Sequence, residues 1–243
     1  MHCGTTVAVH GILERHPWLE DAGTDEFRET VLDLALARAD DQDPRWFECD
    51  KGGDWSGTDE VRELAWMRAD IPEDVRHPRL PVLSMTRTLF DGLSRVGTVS
   101  LAALCAFLPL QVTAGDASDD LDDLREWFAL GPPTTSIDVV VTVSAALSPS
   151  WNTPGEATRV RDALQTRLGT AAETRTARTV TAEHLARRGT SRRLLEETRP
   201  VVQFQVSVRE WTPDASVWLI ESTGDALRAT GHTTPVVVTA TRT

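Results

Sequence analysis

"SIDVVVTVSAALSPSWNTPGEATRVRDALQTRLG", residues 136–169, carries two different hydrophobic periods. Near its start Val139, Val141 and Val143 fall on one side, with Asp138, Thr142 and Ser144 on the other. That spacing predicts a strand with one buried and one solvated face over 136–147. Near its end Val160, Ala163, Leu164 and Leu168 form the apolar stripe of a helix. The signals for that helix, over 153–169, are complete: Thr153 as N-cap, Pro154 at the first helical position, Glu156 closing a capping box and Gly169 as the stop.

Working toward the C-terminus, "TAEHLARRG" (181–189) and "SRRLLEETRP" (191–200) predict two short helices, broken at Gly189 and ended by Pro200. Three strands are then expected. They are 201–211, with Val202, Phe204, Val206 and Val208 inward, "SVWLIES" (216–222) and "PVVVTATR" (235–242). The turn "TPDA" (212–215) would join the first two as a hairpin. The fold class that follows is α+β, a helix-backed and largely antiparallel sheet in one layer or two related layers.

Toward the N-terminus the patterns are less regular. "TTVAVHGIL" (5–13) predicts a strand, and "LPVLSMTRTLF" (80–90) another. "ETVLDLALARAD" (29–40) fits either a strand or a helix. "TDEVRELAWMRAD" (58–70) and "SDDLDDLREWFAL" (118–130) predict helices. "VSLAALCAFLPLQV" (99–112) reads as a buried helix ending near Leu108, too short to cross a bilayer and containing Pro109. "LALARAD" and "LAWMRAD" hint at an internal repeat. "GPPTT" (131–135) is the linker candidate, dividing an acidic α+β region (1–130) from a C-terminal α+β sheet region (136–243), although one continuous domain fits as well.

The 243 residues hold 25 Lys and Arg against 37 Asp and Glu, a net charge of −12. Such a balance disfavours nonspecific nucleic-acid binding. It is also segregated: Glu14 to Asp74 holds 19 acidic and 7 basic residues, whereas Arg159 to Arg199 holds 10 arginines and 5 acids. Heavy arginine use beside a single lysine, Lys51, is expected of a GC-rich genome. Three dispersed cysteines suit a reducing compartment. With no signal peptide legible at the start, the expectation is a soluble, cytoplasmic protein with no membrane partner.

Several chemistries lack their residues. Lys51 is followed by Gly52, so no P-loop ends there, and no G-x-G-x-x-G, H-E-x-x-H or C-x-x-C occurs. The absence of Tyr removes Tyr-dependent mechanisms. "FECDKGGDWSGTDE" (47–60) misses a nucleophile elbow because Gly57 directly follows Ser56. It misses a calcium loop because Gly52 and Val61 stand where ligands are needed. The stretch reads as a connector leading into a helix near Asp59, capped by Ser56 or Thr58. "DDLDD" (119–123) is similar over five residues to the metal motif of terpene synthases, but the companion motif is missing, and it reads as an acidic first helical turn.

The histidines are His2, His10, His16, His77, His184 and His232. His2 and His10 lie too far apart along one strand to share a metal. His184 is the acid/base candidate. Arg187, Arg188, Arg192, Arg193 and Arg199 form a candidate basic binding patch, and Trp18, Trp55 and Trp151 are candidate interface anchors in loops. No metal site or cofactor is expected, no catalytic residue is identifiable, and whether the protein is an enzyme stays open. The expected function is a non-catalytic interaction or assembly subunit, binding a protein partner or a second copy of itself. The alternatives are an enzyme or small-molecule binder with an unfamiliar pocket, or an RNA-associated module using the arginine patch.

Overall fold

The computed structural model describes residues 3–19, 25–40, 47–52, 55, 60–72, 77, 79–113, 119–145, 155–180 and 201–243. Its strands are β1 (Cys3–Arg15), β2 (Phe47–Lys51), β3 (Arg62–Ile71), β4 (Gly97–Leu108), β5 (Ile137–Ala145), β6 (Ala172–Val180), β7 (Val201–Val208) and β8 (Val236–Arg242). Its helices are α1 (Asp25–Asp40), α2 (Val82–Val96), α3 (Asp119–Ala129), α4 (Glu156–Leu168) and α5 (Pro213–Ala229). The chain is α+β, with all eight strands in one antiparallel sheet ordered β2-β3-β1-β4-β8-β5-β7-β6.

The order discloses a duplication of architecture. β1-α1-β2-β3-α2-β4 and β5-α4-β6-β7-α5-β8 share the βαββαβ connectivity of ferredoxin-like units, and each places its strands as second, third, first, fourth. The two fourth strands, β4 and β8, pair antiparallel from Ala103↔Thr241 to Leu108↔Val236, as a two-fold relation between the halves requires. The similar heptapeptides do not mark this repeat, because one lies in α1 and the other in β3.

One face of the sheet packs against the helices. Val7 and Val9, Leu104 and Ala106, Val139 and Val141, Phe204 and Val206, and Val238 are buried there in a single cluster with residues of α2, α4 and α5. The other face carries, strand by strand, Trp66, Ala8, Cys105, Thr239, Thr142 and Gln203 in register. These side chains are also nearly all inaccessible, Thr142 at 5% and Gln203 at 2% exposure. The central strands are thus buried on both faces, where alternation in 136–147 had predicted one solvated face.

That double burial explains the misread segments. Residues 99–108 lie in strand β4 rather than in a helix, since Leu104 and Ala106 face the helices while Ala103 and Cys105 face away, giving a continuous apolar run. Residues 62–71 form β3 rather than a helix. The pairing shifts between Val9↔Ala65 and His10↔Glu63, so Leu64 and Ala65 are consecutive buried residues that break the strand period. Residues 82–90 belong to α2 rather than to a strand, with Val82, Met85, Thr86, Leu89, Leu93 and Val96 on its buried stripe. Residues 29–40 resolve as helix.

Residues 216–222 lie within α5, not in a strand. The presumed hairpin turn is its start: the Thr212 hydroxyl accepts the Ala215 N–H at 3.1 Å, with Pro213 in the first turn. Every residue from Ala215 to Leu227 is buried, so no helical stripe is visible. β6 lies in a stretch given no strand in the sequence reading. The expected helices over 181–200 lie outside the described residues.

The stop of α4 is as expected, Gly169 adopting φ 57° with its N–H donating to the Gln165 carbonyl. Its start differs. Gly155 is the N-cap, with φ 86°, and Glu156 is buried instead of capping, its Oε1 2.8 Å from His232 Nε2.

Candidate functional site

α3 links the two halves, and its two sides meet different surroundings. Leu121 and Phe128 are buried, and the Phe128 ring lies 5.0 Å from that of Trp218 on α5. On the outer side Trp127 is 65% exposed and Leu130 81%. The Leu130 N–H donates to the Trp127 carbonyl at 3.1 Å, so the pair shares one turn. This end of the helix is held in place: Arg209 donates to the carbonyls of Ala129 and Gly131, where a cation suits the helix C-terminus. The acidic first turn predicted for 119–123 falls at the other end of α3.

The inner end of α3 closes a cleft at the seam between the halves. Leu80, Leu108, Leu110 and Leu121 form apolar walls, and α5 contributes Glu221, Gly224, Asp225 and Arg228. The cavity volume is about 40 Å³. Arg79 reaches across from the first half to grip Glu221, its Nε donating to Oε2 at 2.9 Å and to Oε1 at 3.1 Å. Arg228 pairs with Oδ1 of Asp225 one turn earlier. The four charges sum to zero, and both carboxylates are inaccessible, Glu221 at 8% and Asp225 at 5%.

Sequence reasoning missed this cluster because 216–222 was read as a strand. Glu221, Asp225 and Arg228 recur at four and three, a helical spacing, but the apolar residues between them hide it. Arg79 carried no signal in a loop ending in proline.

Other singled-out residues are dispersed. Arg187, Arg188, Arg192, Arg193, Arg199, His184 and Trp151 lie outside the described residues. Trp18 is 73% exposed and stacks on His16 at 4.3 Å, as a loop anchor would. Trp55 is not one, being 2% exposed with its Nε1–H donating to the Leu64 carbonyl at 2.8 Å. His77 Nε2 lies 3.2 Å from the Pro72 carbonyl oxygen, and His232 is buried beside Glu156.

His10 is buried with Nε2 3.6 Å from Glu63. Burial brings its imidazole down from 6.5 to about 4, a backbone hydrogen bond at Ala8 offsetting part of the effect. Burial, then Asp33, Asp50 and Glu48, push the Cys49 thiol up to about 11, which suppresses its thiolate. Among the described residues no three His, Cys, Asp or Glu side chains gather as a metal site would require, and no helix is long and apolar enough to cross a membrane.

No protein family and no curated protein matches the chain. Solved structures give faint likenesses only. One provisionally assigned as a chlorite dismutase shares 11% identity at a TM-score of 0.26, over 100% of this chain and 95% of that one. Two structures of a Cas6-RT-Cas1–Cas2 complex share 9% identity at 0.24, over 100% of this chain and 46% and 29% of theirs. Likenesses this weak carry no argument about function.

Proposed function

We propose that the protein is a non-catalytic interaction subunit that docks a protein partner through the outer end of α3. The observation that carries this is the pairing of Trp127 and Leu130. Of the five large apolar side chains exposed among the described residues, only these two share one turn, that which closes α3. A rigidly mounted tryptophan beside a leucine is a low-entropy anchor, and such residues concentrate binding energy. The segregation of charge along the sequence supports a second copy of the chain as the first partner to test, since an acidic stretch and an arginine-rich one could meet across an interface.

The test is sedimentation velocity from 1 to about 100 μM, with Trp127→Glu/Leu130→Glu beside the natural sequence, and native mass spectrometry of the protein as purified. The natural protein should form a discrete dimer, or carry one stoichiometric partner chain, and the double variant should be monomeric with unchanged circular dichroism. A natural protein that stays monomeric and partnerless throughout would refute the reading, as would a double variant that assembles normally.

A further inference from the structure

We propose that the seam cleft is a binding site for a small neutral molecule with an apolar body and one hydroxyl or amide N–H donor. Three observations converge on it. Asp225 lines the cleft at 5% exposure, and its Oδ2 has no hydrogen-bond partner among the described residues. A buried carboxylate oxygen left unpaired is costly, and a donor brought by a ligand removes that cost. The leucines opposite supply an apolar surface for the rest of the molecule.

Charge selects the ligand further. Arg79 and Arg228 line the same cleft as Glu221 and Asp225. Those four charges already cancel, so an ammonium group would shed its water there without a net opposite charge to offset the cost, whereas an alcohol or amide meets no such penalty. Size limits it too. A cavity of about 40 Å³ admits a few water-sized groups, enough for a short branched alcohol and far too little for a nucleotide.

Gly224 keeps this room open. A Cβ there would stand 3.1 Å from Leu108 Cδ1 and 3.7 Å from Leu110 Cδ2, both cleft walls, and would occupy part of the cavity. Glycine in the middle of a helix is otherwise unfavourable compared with alanine. The position therefore gives up helix propensity and retains space.

The experiment titrates the full chain with 2-butanol, 2-butanone and sec-butylammonium, following the amide resonances of Leu110, Gly224 and Asp225. 2-Butanol should shift them saturably with a millimolar Kd, as befits so small a ligand. 2-Butanone has the same skeleton and no donor, and should bind about tenfold or more weaker because Oδ2 stays unpaired. The ammonium should also bind more weakly than the alcohol. Gly224→Ala should weaken 2-butanol about tenfold, with unchanged circular dichroism showing that the fold is kept. Equal binding of alcohol and ketone, tighter binding of the ammonium, or unchanged binding by Gly224→Ala would each overturn the proposal. So would no saturable shift with any probe, which would leave the cleft a water site. These outcomes are independent of whether α3 docks a partner.

Discussion

At the scale of single residues, the clearest consequence concerns His10. It sits on the sheet face away from the helices, 2% exposed, at the irregularity where β1 and β3 lose their even pairing. Its folded-state pKa of about 4 lies below the ordinary 6.5. Between those values the unfolded chain takes up a proton that the folded chain refuses. Stability is therefore full above pH 6.5, falls as pH drops through the window and levels off below pH 4. The total is about 3 kcal/mol. Urea unfolding at pH 7 and pH 4.5 should show the natural protein losing about 2 kcal/mol more than His10→Gln. Equal losses would mean that the imidazole does not report on folding.

At the scale of elements, α5 depends on a cap that the sequence displays openly. The Thr212 hydroxyl accepts from Ala215 at 3.1 Å, and Thr212→Ala should cost about 1 kcal/mol in urea unfolding, with Thr212→Asp recovering most of it. An alanine variant as stable as the natural protein would show that the helix start is fixed by burial alone. The same four residues, TPDA, had been read as a hairpin turn, since Pro and Asp serve turns and helix starts alike. Elements with one wet side were legible: α3 from its leucines, β7 from Val202, Phe204, Val206 and Val208, and the end of α4 from Gly169. Elements buried all round were legible only where a polar alternation survived, as in β5 with Thr142 and Ser144, and were lost where none did. β4 showed an apolar run without period and was taken for a helix, while α5, buried from Ala215 to Leu227, was taken in part for a strand. The cleft was lost with α5, because Glu221, Asp225 and Arg228 share a face only once their segment is helical. Trp127 and Leu130 stood in a correctly predicted helix, but their exposure depends on how α3 lies against α5, which no local pattern encodes.

At the scale of the whole molecule, the α+β class was legible and the duplicated topology was not, because the halves are equivalent in connectivity and not in sequence. Their union is extensive. One buried cluster contains residues from both halves, and β4 pairs with β8 along six residue positions. Arg79 to Glu221, Arg87 to Asp214 at 2.7 Å and the Trp211 indole N–H to the Leu101 carbonyl at 2.9 Å all cross between them. Separate unfolding would expose that shared core and break the central strand pair, so a single cooperative transition is expected in spite of the chain's length. Arg79→Met makes this measurable, because it strands the inaccessible Glu221 carboxylate without that guanidinium, at about 3 kcal/mol. Hydrogen exchange should then show the slowest amides of β3, in the first half, and of β7, in the second, losing protection by the same factor. Both factors should match the loss found by urea unfolding, as one cooperative unit requires. Loss confined to the half containing Arg79 would show two units that unfold separately, joined by a sheet that does not transmit stability across β4 and β8.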